Sequence, residues 1–321
     1  MEPATVVALA KNYGDALDER VVAARYSTHD FSAFIEAYKW VTSYLRAPAD
    51  YALAALRMCE QMLVQNLIYA EVTLSAGVML LRKQDVEANF RAIREAVSPY
   101  ESRGLRLQWI LDAVRQFGAA AARNVAQHAV GLRDAGVVAF GMGGNELACP
   151  SAEFREVYEY AAANGLHRLV HAGEIGGPDS VRDAVNILGA ERIGHGIAAA
   201  ADPKLMALLA ERRIHLEICP TSNLRTGALA QLVGRANAGL ADHPLPQLLR
   251  AGIPISVSTD DPVMFDTSLA REFSALEQMN LRHPEIVSIA EGAFAGAFLP
   301  PSQKAALLQT FRVKAAALGL L

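Results

Sequence analysis

"HRLVHAGEIGGPDSVRDAVNILGAERIGHGI", residues 167–197, decides the fold. Residues 167–174 form an apolar run that closes on glycine and polar residues. The stretch 178–189 opens at Pro178-Asp179, a helix start signal, and carries apolar residues at helical period. Residues 192–197 are a second short run, ending with a histidine between glycines. Strand, helix, strand is the repeating unit of a parallel sheet, because parallel neighbours need a long crossover.

The same alternation extends in both directions. Further strands are predicted at 67–77 (LIYAEVTLSAG), 105–115, 137–146 (VVAFGMGGNE), 214–223 (IHLEICPTSN) and 254–262 (PISVSTDDP). Helices are predicted at 49–66, 84–98, 151–164 and 202–213, with start signals at Ser151 and Asp202-Pro203. No linker or low-complexity tract interrupts the chain, which predicts an α/β fold of one domain over 1–321: a (β/α)8 TIM barrel with its chemistry at the C-terminal strand ends. A doubly wound open sheet is the alternative, but no G-x-G-x-x-G follows a first strand. A barrel needs an eighth strand. Residues before 67 read as helices, with Pro3 near one helix start and apolar positions Phe31, Phe34, Ile35, Tyr38, Trp40 and Val41 spaced through 31–45. The strand left to find is therefore the first, expected upstream of Met1.

Composition narrows the function. The 321 residues are 52% hydrophobic and 20% charged, with net charge -4 and a pI near 6.1. No basic run with interleaved aromatics is present, which argues against nucleic-acid binding. Cys59, Cys149 and Cys219 stand singly, as in a chain kept in a reducing cytoplasm. Neither a signal peptide nor a run of about 18 apolar residues occurs, so no membrane partner is expected.

The ionisable residues gather at the predicted strand ends. His171 and Glu174 close one strand, His195 the next, and Asp260 and Asp261 the last. Singly, His171 or His195 reads as a core histidine, Glu174 as a solvated loop residue, and Asp260-Asp261-Pro262 as a helix cap and turn. Their coincidence at one end of one barrel favours a metal-dependent site. Zn²⁺ takes imidazole and carboxylate ligands and lowers the pKa of water to about 7. Of two adjacent carboxylates, one ligates while the other takes a proton. Cys219 reads as a buried strand thiol, and His128, His167 and His215 as structural.

"HAGE" (171–174), "RIGHG" (192–196), "EICPTSN" (217–223) and "STDDP" (258–262), with "YAEVTLSAG" (69–77) and "GGNE" (143–146), resemble the adenosine deaminase family of the amidohydrolase superfamily. The resemblance spans most of the chain. It implies a Zn²⁺-bearing barrel, one ion per subunit, that hydrolyses the 6-amino group from a purine nucleoside. His171 and Asp260 would ligate zinc. Glu174 would protonate purine N1, and His195 and Asp261 would hold the water and take its proton. The Gly144 N–H would bind purine N3, which favours a nucleoside over free adenine. The family's two further ligands, a His-x-His pair on the first strand, have no counterpart in this sequence. "YAEVTLSAG" and "NLRTG" also resemble deaminases of 6-aminodeoxyfutalosine, whose benzoate Arg225 would pair with. The segment 27–45 resembles the family's lid. Alternatives are an adenine deaminase and a metal-free, non-catalytic purine-binding barrel.

Overall fold

The computed structural model describes residues 1–28 and 30–321; residue 29, within the expected lid segment, lies outside the described residues. Seven strands form one parallel sheet: β1 Tyr69–Leu74, β2 Arg106–Val114, β3 Val137–Gly143, β4 His167–Ala172, β5 Arg192–His195, β6 His215–Ile218 and β7 Ile255–Val257. They pair in sequence order from β1 to β7, and the sheet curls into an open barrel in which, among the described residues, β1 and β7 do not pair. All seven strands occur where the apolar runs predict them, each trimmed at its C-terminal end. The trimming has a physical reason: the polar residues there turn out of the ladder to form the mouth. "EICPTSN" divides most visibly, with β6 ending at Ile218 and a helix running Pro220–Arg225. Proline at its start suits the first helical turn, where the missing N–H costs nothing.

Burial sorts the side chains into layers. Ile110, Ala139 and Leu169 point into the barrel and meet Phe298, while Leu111, Phe140, Val170 and Ile193 join the core under the outer helices. Helix Pro203–Glu211 begins where expected, with the Asp202 carboxylate accepting from the Lys204 and Leu205 amides. Among the described residues, no helix is long and apolar enough to cross a membrane.

The barrel floor is ionic. Arg192 on β5 pairs with Glu71 on β1 and lies 3.0 Å from the Glu217 carboxylate on β6. Its guanidinium stacks 3.7 Å from the Phe298 ring centroid and donates to the Gly296 carbonyl, while the Phe298 amide donates to Glu71. A buried charge survives only when paired and hydrogen-bonded, and this one has carboxylate partners on two other strands and a carbonyl acceptor at the end of the helix His283–Gly296.

A satellite core sits beside the mouth. Helices Pro3–Asn12, Glu19–Tyr26 and Phe31–Thr42 bury Val6, Leu9, Val22, Phe34 and Val41 against Met264 and Phe265, which follow the Asp260-Asp261 pair. Phe34 stacks on Phe265 with centroids 4.8 Å apart, and the Tyr38 hydroxyl lies 2.8 Å from Ser75 Oγ.

Candidate active site

The ends of β4, β5 and β7 bring the expected residues together. His195 Nε2 lies 3.5 Å from Glu174 Oε2 and 3.9 Å from Asp260 Oδ2, and the His171 and His195 ring centroids are 5.3 Å apart. His195 and Asp260 both have positive φ, at 65° and 55°. Left-handed backbone costs a non-glycine residue on the order of 1–3 kcal/mol, and such strain clusters at functional sites. Here it turns each side chain from the strand end into the mouth. Gly143 on β3 and Gly194 on β5 flank the His171 ring: a Cβ at Gly143 would press within 3.0 Å of Asp112 Oδ2, whereas one at Gly194 would sit in ordinary contact, 3.5 Å from the ring.

Electrostatics follow from burial and crowding. Burial, then the neighbouring Asp260, pushes the Asp261 carboxyl up to about 7. Burial also raises Glu174, against the opposing pull of His195. Asp112, enclosed on β2, is pushed up to about 6 by burial. For His171, burial favours the neutral ring, but Asp112, Asp260 and Glu174 outweigh it and raise its pKa.

Several contributors lie outside the expected set. Glu146, the last residue of "GGNE", is buried with a carboxylate that accepts from the Gly173, Glu174, Ile175 and Gly176 amides and from Ser180 Oγ, at 2.7–3.3 Å. It fixes the loop that carries Glu174. The short helix Pro220–Arg225 and its next residue support three site residues at once. Ser222 donates to Asp260 Oδ2 at 2.7 Å, the Asn223 amide meets His195 Nδ1 at 3.1 Å, and Thr226 donates to Glu174 Oε1 at 3.1 Å. The sequence carried a signal for this: Ser, Asn and Thr follow a strand and a proline at helical spacing, which puts them on one face.

The remaining expected residues have definite places. Gly144 has φ +91°, a conformation that by itself favours glycine, and a Cβ there would also displace the Gln116 side chain, whose Oε1 lies 2.4 Å from that position. Arg225 ends its helix half-buried. Cys219 is buried, its thiol pushed well above the usual range by enclosure. His215 meets Ser256 Oγ at 2.8 Å near the floor, a structural role as expected.

A divalent cation fits these donors. His171 Nδ1 is buried without a hydrogen-bond partner, and three carboxylates crowd the mouth. The expected pair was His171 and Asp260, but the tightest grouping among the described residues is His195, Cys219 and Asp260, with ligand atoms within 4.8 Å of one another.

Known proteins share this chain's sequence pattern and fold. The sequence family described as Adenosine deaminase matches residues 1–314. An aminodeoxyfutalosine deaminase of Streptomyces coelicolor is 36% identical over 310 residues, covering 94% of this chain and 78% of the relative. The crystal structure of an adenine deaminase from Arthrobacter aurescens superposes with a TM-score of 0.89 at 26% identity, over 98% of this chain and 95% of that one. An amidohydrolase from Burkholderia ambifaria with bound Zn shares the fold, with a TM-score of 0.86 at 22% identity, over 99% and 89% of the two chains.

Proposed function

The chain belongs to the adenosine deaminase family, and from that premise we propose that it hydrolyses a 6-aminopurine nucleoside, adenosine or 6-aminodeoxyfutalosine, to the 6-oxo product and ammonia. The observation that carries the reading is the convergence of Glu174, His195 and Asp260 at one mouth, with His195 Nε2 within 3.9 Å of both carboxylates.

Attack of water on an aromatic amidine carbon needs a proton delivered on one side and removed on the other. Glu174, whose carboxyl burial pushes upward, delivers a proton to purine N1 and so makes C6 electrophilic. Asp261, at about 7, lies where a carboxylate both gains and loses a proton at neutral pH. It takes one proton as the water oxygen bonds to C6, and the amine leaves with that proton as ammonia when the C6–N bond breaks; the second water proton, released as the 6-oxo group forms, restores Glu174, whose own proton stays on N1. His195 holds the water in place. Zn²⁺ is the metal of this reading; His171 and Asp260 would hold it, and it would supply Lewis acidity that lowers the pKa of water. Zinc bound to the Burkholderia amidohydrolase supports that choice.

Gly144 contributes its N–H to purine N3, and Arg225 recognises a carboxylate on the nucleoside's distal group. The helix Phe31–Thr42, within the segment 27–45, covers the base, and residues 1–321 act as one barrel domain in the cytoplasm. Free adenine is the second reading, favoured by the likeness to the Arthrobacter adenine deaminase.

Ammonia release from adenosine, 6-aminodeoxyfutalosine and adenine, measured on the zinc-supplemented chain alongside metal analysis, tests the proposal. Turnover of a nucleoside at one zinc per chain is expected. A zinc-loaded chain that releases ammonia from none of the three is not a deaminase, and retained purine binding would mark it as a non-catalytic binder. Arg225→Ala is expected to raise KM for the carboxylated nucleoside roughly tenfold, the loss of one charge-assisted contact. Adenosine should be spared; equal effects on both substrates discard that role.

A further inference from the structure

Behind His195 runs a chain of polar contacts that the reaction does not use directly. The Leu245 amide donates to His243 Nδ1 at 3.1 Å, His243 Nε2 lies 3.4 Å from Asn223 Oδ1, and Asn223 Nδ2 lies 3.1 Å from His195 Nδ1. His243 is 4% exposed and Asn223 fully buried, so no water is needed to complete the chain. Only its first member has a fixed sense, because a backbone N–H can donate and never accept. That one group orients all the rest. His243 Nδ1 must offer its lone pair, which puts the ring proton on Nε2. Burial holds His243 neutral, its pKa lowered to about 3, so a second ring proton does not arise near neutral pH. The Nε2–H then needs an acceptor, which is Asn223 Oδ1. The Asn223 NH₂ is thereby turned toward His195, whose Nδ1 must accept.

We propose that His243 is a positioning residue that, through Asn223, holds His195 as its Nε2–H tautomer, so that His195 donates a hydrogen bond into the mouth and neither ligates a metal nor accepts a proton through Nε2. The front of the ring agrees with the back. Nε2 lies 3.5 Å from Glu174 Oε2 and 3.9 Å from Asp260 Oδ2, and a carboxyl oxygen that carries no proton offers a ring nitrogen only lone pairs. The assignment bears on the metal grouping: the His195, Cys219 and Asp260 cluster loses its imidazole, whereas His171 keeps a buried Nδ1 without a hydrogen-bond partner. It also revises the role expected for His195. A nitrogen that already carries a proton cannot take one from water, which leaves that task to Asp261. The catalytic consequence rests on the deaminase reading; the tautomer does not.

The test is nitrogen NMR of the full chain labelled with ¹⁵N-histidine, near neutral pH and with a chelator present. His195 is identified by the signal lost in His195→Asn. The wild type is expected to show His195 with a bare Nδ1 and a protonated Nε2. Asn223→Asp replaces the amide donor with an acceptor and is expected to move the His195 proton to Nδ1. With substrate, the same change should lower kcat roughly a hundredfold or more while KM stays within about twofold, as when an imidazole is held in the wrong tautomer. His243→Leu should give a mixture of tautomers and His243→Gln, which keeps an N–H toward Asn223, should restore the wild-type form. Wild-type His195 protonated on Nδ1 overturns the proposal, and that measurement needs no variant to fold. So does an unchanged tautomer in Asn223→Asp. Absence of deamination by the wild type defeats the functional reading instead, and leaves the spectroscopic result to decide the tautomer alone.

Discussion

Two glutamates, Glu174 and Glu146, show how little of a residue's role lies in its own chemistry. Glu174 has one hydrogen-bonding neighbour, Thr226, and a carboxyl raised by burial, whereas Glu146 collects five donors. Glu174→Gln keeps the shape and removes the transferable proton. It is expected to bind purine nucleoside with KM little changed and to lose a factor of about 10²–10⁴ in kcat, the usual worth of a general acid. Near wild-type turnover would remove Glu174 from the mechanism. Burial alone would push Glu146 up, but the hydrogen bonds from Ile175, Ser180, Glu174 and Gly173 outweigh it and hold it below the usual carboxylate range. Glu146→Gln leaves an amide NH₂ facing buried N–H groups, at a cost of about 2–3 kcal/mol read as a lower urea midpoint. The sign with pH follows. A depressed folded pKa gives stability that is present above the unfolded carboxylate pKa and lost as pH falls through the folded value, so the gap between wild type and variant should narrow in acid.

At the scale of elements, the site is a property of where strands stop. β4, β5 and β7 end beside the mouth, and left-handed residues at two of those ends aim the side chains. The helix Phe31–Thr42 packs on Phe265, which follows the aspartate pair in the chain. Phe34→Ala empties the centre of that contact and is expected to cost about 3 kcal/mol, at the low end for a buried phenylalanine. Because the satellite core is separate from the main one, the loss should appear locally. Faster hydrogen exchange in residues 3–45 with β2 and β3 unchanged would show it, whereas uniform loosening would mean that the two cores unfold together.

Over the whole molecule, His215 and His243 stand out among the described residues as groups at odds with acid. Burial lowers each to about 3, and Arg192 adds to the effect at His215. Between about pH 6.5 and about pH 3 the unfolded chain binds protons that these two residues refuse when folded, so stability falls as pH drops through that window. Urea midpoints measured from pH 7 to pH 4 should decline, and less steeply in His243→Gln. An equal slope in that variant would take His243 out of the account.

The strands and the ionisable residues at their ends were legible in the sequence, because apolar runs and polar strand ends are local patterns. Helix starts at Pro178 and Asp202 were legible for the same reason. Glu146 and His243 were not, and neither were the partners of Asn223, although its helical spacing was. Each matters through a partner 20 or more residues away, and nothing near Glu146 in the sequence says that the Glu174 loop will arrive with four amides pointing inward. Arg192 hid differently: its partner Glu71 lies on a strand far away in the sequence, and only the curl of the sheet brings the two together.

That pairing has a mechanical consequence. Glu71 and Arg192 belong to strands four places apart in the sheet, so their bond spans the lumen like the tie-rod of a vaulted roof. A terminal stave ordinarily peels away first. Here, prising β1 loose would strand a guanidinium against Phe298 and Glu217, so the rim of the barrel is braced from its interior and should yield only when the opposite wall yields with it.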